Sequence, residues 1–537
     1  MSMIVEHSVW PPKPMDRVYK HVDLLHAWWT GDLEKLDRYS GSAGQPAMSR
    51  WQYNGGVGGM VARGIFGAPP RAGQKSRRLH VPIAADVSRA MASVMAGDPP
   101  RFSIGEGGAN EAAFARLDKL VNTARFHSGL LGAEETAAAL GGYYAKICWN
   151  TDLHDSAWMT FHDPDSALPE FTYDMLSAVT FWTELPSDSK GDVWRHLERH
   201  SPGRIEHALF RGSDDNLGMR RPLPDHPATE DIVVDAESGI ETGTRLLTAG
   251  FIPNVMPNPE WRRDPVLKML GRADITTQMM DTMSALNDAY SSLARDIRLA
   301  KARLVVDESM LRTGRPGEGS FFDPDHEAFT TVKQNPGDES SLIEAHQFDI
   351  RVQEHEQAIN LYTRQVIRSA GLSPLTFGLK DDAVGQMTAT EVGARERSTN
   401  ATKAGKALLR RDAFSRLVRA MIEVDAAVFG TGAQIGEQVA VEYTPASSPS
   451  PEELARTAQL LDQARAASTE TKVRLYNPDW DDDAVAQEVD KILSETGQGA
   501  LMDPFDTPPD GSFTVSSGGP LDLDSGGADM NEAADAA

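Results

Sequence analysis

The stretch LGRADITTQMMDTMSALNDAYSSLARDIRLAKARLVV, residues 270–306, sets the architecture of everything around it. After Gly271, Met279, Met283, Leu286, Tyr290, Leu293 and Ile297 recur at alternating intervals of four and three. That spacing makes a narrow apolar seam along a helix that packs lengthwise against other helices. From 274 to 302 such a helix would be ~43 Å long. Asp264-Pro265 just upstream is a helix-start signal, an acid cap followed by a proline in the first turn. Downstream, 303–345 changes character, with short β-prone runs (RLVVDESML, then FFDPDHEAFTTVKQ) separated by Gly and Pro, which predicts a small β module inserted between helices.

The helix resumes near Phe348, with Val352, Ile359, Tyr362, Val366 and Ala370 on one face, and stops at Gly371, a natural C-terminal cap. GLSPLTFGLKDDAVGQMTATE, 371–391, then forms a loop that ends in Thr388-Ala-Thr-Glu391, a capping box that launches another long helix to about residue 430. The first half of that helix carries Arg395, Arg397, Lys403, Lys406, Arg410 and Arg411, and a helix polar on all sides is expected to bridge domains or subunits. Later, Phe414, Leu417, Val418, Met421 and Ile422 restore an apolar face.

On the N-terminal side, a Pro-rich arm over 1–15 precedes an amphipathic, partner-facing segment over 16–39 with Val18, Val22, Leu25 and Leu36 at helical spacing. A Gly-rich connection follows, and its GGVGGM and GAPPRAG lack the Gly-Lys-Ser/Thr of a phosphate loop. Helices are expected from Leu79 and over 110–141. The segments YYAKICWN, WMTFHDPDSALPEFTYD, SAVTFWTELP and VWRHLERHSPGRIEHALFRG then alternate as strands, giving an α+β region that ends near 262. After 430 come a strand, QVAVEYTP, and helices over 451–467 and 481–496. The tail 501–537 has eight acids and no Lys or Arg, a composition that predicts disorder. The fold class expected is α+β, mainly helical.

At 537 residues the length suggests roughly three or four structural units. A formal charge of −25 argues against a nonspecific DNA clamp, which needs clustered Lys and Arg. The single cysteine, Cys148, excludes an intrachain disulfide, and no run is apolar enough to span a membrane. With no signal-peptide pattern at the start, a reducing cytoplasm is the expected site of assembly. Catalytic chemistry is hard to find. HLERH at 196–200 lacks the Glu that follows the first His in zinc proteases, and a strand would leave its histidines to packing. The clusters Asp481, Asp482, Asp483 and Asp323, Asp325, Glu327 could bind a divalent cation or serve as acid and base, but a helix start and a turn account for them better. SDSK at 187–190 has the Ser-x-x-Lys spacing of some acyl enzymes without their companion motifs. No catalytic residue, metal site or cofactor is expected.

The segments HVPIAADVSRAMASVMAGDPPRF (80–102), HDPDSALPEF (162–171), LERHSPGRIEHALFRG (197–212), FIPNVMPNP (251–259), the opening stretch at 270–306, GLSPLTFG (371–378) with TATEVGARE (388–396), and LYNPDWDDDAVAQEVDKIL (475–493) occur in an order that resembles the portal proteins of tailed double-stranded DNA phages. These are head-to-tail connectors of the class common among siphophages. The resemblance implies a ring, usually of twelve subunits, around a DNA tunnel, with the residues of each subunit divided as follows. Residues 16–262 would be the wing, 263–302 and 346–370 the two stem helices, 303–345 the clip, 371–388 the tunnel loop, 389–430 the long helix and 431–500 the crown. It also implies Phe377, Lys380, Asp381, Asp382 and Gln386 as loop residues facing DNA, and the seam Met279, Met283, Leu286, Tyr290, Leu293 and Ile297 as the contact between stem helices. Partners would be double-stranded DNA, the terminase large subunit, major capsid and scaffold proteins and a head-completion adaptor, with no membrane. The location would be the portal vertex of the virion. A soluble hydrolase using an Asp cluster, or a different ring-forming virion connector, are the alternatives.

Overall fold

The computed structural model describes residues 5–39, 79–105, 108–187, 191–236, 238–299, 351–379, 396–436, 438–444, 451–477, 480 and 482–495, together with four short strands between 303 and 346. The chain separates into two compact units, residues 1–448 and 449–537. That is fewer than its length suggests, because one apolar cluster runs without interruption from Trp10 through the wall of the first unit to Leu372.

Helix α1 (Met15–Thr30) buries Met15, Val18, Val22, Leu25 and Trp28 on one face. It stops at Gly31, whose φ of +72° suits glycine and where a Cβ would lie 2.6 Å from the His80 ring. The predicted single segment 16–39 is therefore broken, and α2 (Leu33–Tyr39) follows the turn. Its expected partner is the chain itself, since α1 packs on α3 (Ile83–Ala96) and α5 (Ala124–Leu140). The helix predicted over 110–141 is likewise two, α4 (Glu111–Val121) and α5, because Thr123 caps α5 by accepting from the Phe126 amide.

The strands form two main antiparallel sheets. One has the order β10-β2-β3, from β2 (Gly142–Cys148), β3 (Trp158–His162) and β10 (Ala249–Pro253). The other runs β4-β5-β6-β7-β8, from β4 (Ala167–Thr172), β5 (Met175–Leu185), β6 (Val193–Ser201), β7 (Arg204–Ser213) and β8 (Asn216–Arg221), with β9 (Gly239–Glu241) added to β7. The N-terminal segment is tied to this sheet. The His7 amide donates to the Gly218 carbonyl, and Trp10, 5% exposed, stacks edge-on against Trp182 beneath the Arg195 guanidinium. A third, minimal sheet pairs β1 (Arg101–Ser103) with β15 (Ala440–Glu442), joining residues far apart in the chain.

Asp264 caps only a short 3-10 turn, Leu267–Met269, by accepting from the Val266 and Leu267 amides. The chain then runs extended past Gly271, where the Arg272 amide donates to the Val255 carbonyl, so α6 begins later than the Asp-Pro signal predicts, at Thr277, and ends at Leu299. Strands β11 (Arg303–Val306) and β14 (Ile343–His346) pair antiparallel, and β12 (Arg312–Thr313) pairs β13 (Ser320–Phe321) between them. Helix α7 (Val352–Ser369) returns along α6. The long helix α8 (Arg397–Phe429) follows, and its second half supplies Phe414, Leu417, Val418, Met421 and Ile422 to a second apolar cluster shared with α4, α5 and the three-stranded sheet. In the second unit, α9 (Pro451–Gln463) and α11 (Asp482–Glu495) stand where helices were predicted, and α10 (Thr469–Tyr476), capped by Ser468, lies between them. No described helix is long and apolar enough to cross a membrane.

Candidate functional site at the root of the two-helix arm

Helices α6 and α7 make an arm that is rooted in the first unit. The seam residues divide along it. Met279, Met283 and Leu286 are buried together with Val366 and Ile367 of α7 and Ala370 just past its end, Tyr290 and Leu293 are half-buried, and Ile297 is exposed. Toward the far end the two helices are held by charge instead, with His355 Nε2 3.0 Å from Asp296 Oδ2. That contact and the nearby Arg351 guanidinium hold the Asp296 carboxyl below its usual range.

Gly371 ends α7 with φ +79°, the left-handed conformation expected of a C-terminal cap. A 3-10 turn, Pro374–Phe377, follows, with Ser373 Oγ accepting from the Leu375 amide, and Gly378 (φ +68°) closes it. Phe377 is half-buried against the first apolar cluster. Lys380, Asp381, Asp382 and Gln386 lie outside the described residues, as do the Thr388–Glu391 capping box and the acidic trio at 323–327.

What fixes this root is a polar stripe on α8 that sequence patterning misses. Thr399, Thr402, Lys406 and Arg410 follow one another at intervals of three and four and so share a face. Thr399 Oγ1 accepts from the Ser373 amide at 2.9 Å. Thr402 Oγ1 donates to the Gly371 carbonyl at 2.8 Å. Lys406 Nζ donates to Asn254 Oδ1 at 2.7 Å and to both Asp274 oxygens at 2.8 and 2.6 Å. Arg410 donates to Glu134 through Nε at 2.7 and 2.9 Å and through Nη2 at 2.5 Å. One helix face thus grips the residues just before α6, those just after α7, and the wall helix α5. The polar residues of this helix are divided: Lys403, Lys406 and Arg410 are buried, while Arg397 and Arg411 are exposed.

The electrostatics follow from burial. Burial lowers the Lys406 ammonium and the Asp274 carboxylate works against that fall. Burial also opposes the Arg410 guanidinium, but the Glu134 carboxylate more than reverses it, and the net direction is upward. Burial, reinforced by Glu134, pushes the Tyr143 hydroxyl well above its usual range while that hydroxyl donates to Glu134 Oε1 at 3.0 Å. Such groups are tolerated only because each is paired and hydrogen-bonded.

The HLERH histidines are packing residues on β6. His196 Nε2 sits 3.1 Å from His207 Nδ1 with the rings parallel, and His200, wholly buried, contacts Thr248 Oγ1 at 2.7 Å and Glu198 Oε1 at 2.9 Å. Lys146 completes the group at 2.5 Å from Glu198 Oε2. Burial alone would raise the Glu198 carboxyl, but His200 and Lys146 bring it well below its usual value. Among the described residues no group of three or more His, Cys, Asp or Glu is placed to hold a metal ion. Cys148 is half-buried, and burial raises its thiol. Asp482 and Asp483 open α11, where acids favour the helix dipole.

Curated proteins give no match to the sequence. Solved structures include a chain from the virion of a native gene transfer agent particle, 12% identical, covering 83% of this chain and 98% of that one at a TM-score of 0.38. A second comes from the neck of a native gene transfer agent particle computed with C12 symmetry, also 12% identical, covering 76% of this chain and 93% of that one at a TM-score of 0.37. The family model described as "Phage portal protein, SPP1 Gp6-like" matches residues 70–500, which takes in the wall, the arm, its polar root and the helices that follow. The chain therefore belongs to the SPP1 Gp6-like family of phage portal proteins.

Proposed function

We propose that copies of this chain form a ring, of twelve subunits, at the unique vertex of a phage capsid, and that double-stranded DNA is packaged and ejected through its centre. The observation that carries this is the family match across 70–500, which spans the succession of arm helix, strand module, arm helix, glycine stop and long helix. In this arrangement 16–262 is the wing, 263–302 and 346–370 the stem, 303–345 the clip, 371–388 the tunnel loop, 389–430 the long connecting helix and 431–500 the crown. The chain has no catalytic activity of its own. It is assembled in the host cytoplasm, nucleates the head with scaffold and major capsid proteins, docks the terminase large subunit during packaging, and then binds a head-completion adaptor.

The charge of −25 supports a conduit over a clamp. Each phosphate gripped by Lys or Arg adds to binding that translocation would have to break, so a sliding duplex is better served by few such contacts. Lys380 is the cation we assign to guidance in the loop, with Asp381 and Asp382 beside it to repel phosphate.

Native mass measurement and particle imaging of the purified chain test the ring, and a stable monomer at every concentration overturns it. Shortening the loop within 380–387 should leave ring assembly intact and impair packaging or genome retention. Loss of the ring on shortening would make the loop an assembly element instead.

A further inference from the structure

The two faces of the three-stranded sheet are held by different chemistry. Side chains alternate along β2. Tyr143, Ala145 and Ile147 join Met159 and Ile252 in the apolar cluster shared with α4, α5 and α8. Tyr144, Lys146 and Cys148 take the other face, where Tyr144 meets the Phe181 ring and Lys146 meets Glu198, both of the larger sheet. The buried apolar contact on that face is small, Tyr144 and Ala249 against Ala167, Val179 and Phe181. Polar groups make up the rest of the seam.

Four histidines meet there. His200 bonds Glu198 Oε1 and Thr248, and Lys146 bonds the other Glu198 oxygen while its Nζ lies 5.0 Å from the Phe181 ring centroid. His162 Nε2 is 3.0 Å from Thr160 Oγ1, which in turn is 3.4 Å from Cys148 Sγ. His196 and His207 share one hydrogen bond between parallel rings. At the margins, Glu6, Arg220 and Arg221 line the surface pocket that reaches His207, and Arg125 and Asp163 line the one that reaches His162. Glu198 already serves Lys146 and His200, so each further proton adds positive charge to the seam without a fresh counter-ion. Burial is the chief opponent of charge on His162, His196 and His207, and Lys146 adds to it against the pull of Glu198.

We propose that this seam is an acid-operated latch: protons taken up by His162, His196 and His207 part the three-stranded sheet from the larger one, while the apolar contact with α4, α5 and α8 keeps the wall standing. The latch is independent of the ring reading. Opening hydrates the imidazoles, which then titrate near the ordinary value of about 6.5. In the closed seam His162 and His207 do so only at about 4. Between those values the open form holds more protons than the closed one, so opening grows as pH falls.

Cys148 is the reporter, being the only cysteine of the chain and bonded within the seam. The rate at which a pyridyl disulfide labels the full-length chain is measured from pH 7.5 to 4.5 and divided by the rate for the same chain unfolded in urea, which removes the titration of the thiol itself. This ratio should climb by about tenfold or more per pH unit between pH 6 and 5, with helical circular dichroism unchanged. In His162→Gln/His196→Gln/His207→Gln it should stay nearly flat; if that variant does not fold at pH 7.5, His162→Gln and His207→Gln singly carry the test, each lowering the slope. A flat ratio in the parent chain overturns the latch. So does a rise that coincides with loss of helicity, which is unfolding of the whole unit, and so does a rise that the folded histidine variants leave unaltered.

Discussion

Replacing Arg410 by Met tests the polar stripe where its energetics are most exposed to refutation. Arg410 and Glu134 have side-chain exposures of 0% and 2%, so the Met variant leaves a carboxylate sealed in the wall with only the Tyr143 hydroxyl to stabilise it. Breaking a buried pair from one side costs about 3–5 kcal/mol. Restoring an apolar interior by adding Glu134→Leu removes the stranded charge but orphans the Tyr143 hydroxyl, a penalty of about 1–3 kcal/mol. Tyr143→Phe removes that as well and leaves only the Asn254 carbonyl, 3.3 Å from Arg410 Nη1 in the parent, without this donor, so the triple variant should recover most of the parent stability, as apolar replacements of buried ion pairs often do. Hydrogen exchange of the α8 amides reads the change locally. At about 1.4 kcal/mol per tenfold, Arg410→Met should accelerate exchange around Lys406–Phe414 by about two to four orders of magnitude. A single variant that exchanges like the parent would mean that water reaches the pair. A triple variant as unstable as the single would mean that Arg410 acts through packing and not through charge.

Two further outcomes are expected. His207 and His162 are pushed down to about 4, both chiefly by burial, with the Lys146 ammonium next for His162. Unfolded imidazoles take up protons from about pH 6.5 downward, whereas these do so only near pH 4, so the unfolded state binds more protons and stability falls as pH drops through that window. Buried His207 accounts for about 3 kcal/mol of the fall and half-buried His162 for less. Urea midpoints taken from pH 7.5 to 4.5 should decline, less steeply in His162→Gln/His207→Gln, and parallel slopes would refute the assignment. Separately, Gly371→Ala should cost about 2–3 kcal/mol, because a left-handed backbone (φ +79°) is combined with a Cβ 2.5 Å from Thr402 Oγ1. Gly378→Ala, at φ +68° with open space around it, should cost only about 1–2 kcal/mol. Equal losses in thermal melts would remove the Thr402 contact from the account.

The arm was legible because periodicity carries it: the seam of α6, the strand-forming runs after it, and the glycine at 371 are local signals with local causes. The helix start at Asp264 misled, because a cap signal says nothing about the sheet edge that claims residues 270–275 through Val255 and Asn254. The polar root was not legible for the same kind of reason. The sequence places Lys406 and Arg410 on a bridging helix but does not say what they meet; Asp274 and Glu134 are 132 and 276 residues away. One signal was present in the sequence: polar residues at 399, 402, 406 and 410 keep helical spacing while alanine, glycine and leucine occupy the other side. That is an amphipathic helix with its sign reversed, which a search for apolar stripes passes over.

The pairing of β1 with β15 has a consequence for how the protein is made. Phe102 and Val441 are register partners, so the ladder that closes the wall needs a segment synthesised early and one synthesised at the very end of the first unit. A nascent chain released before Ala440 carries a strand at 101–103 whose backbone donors and acceptors have no mate, whatever else has folded. Until Glu442 has left the ribosome, the first unit is a shape with a gap in it, and only chains read past that point can enter assembly with the wall closed.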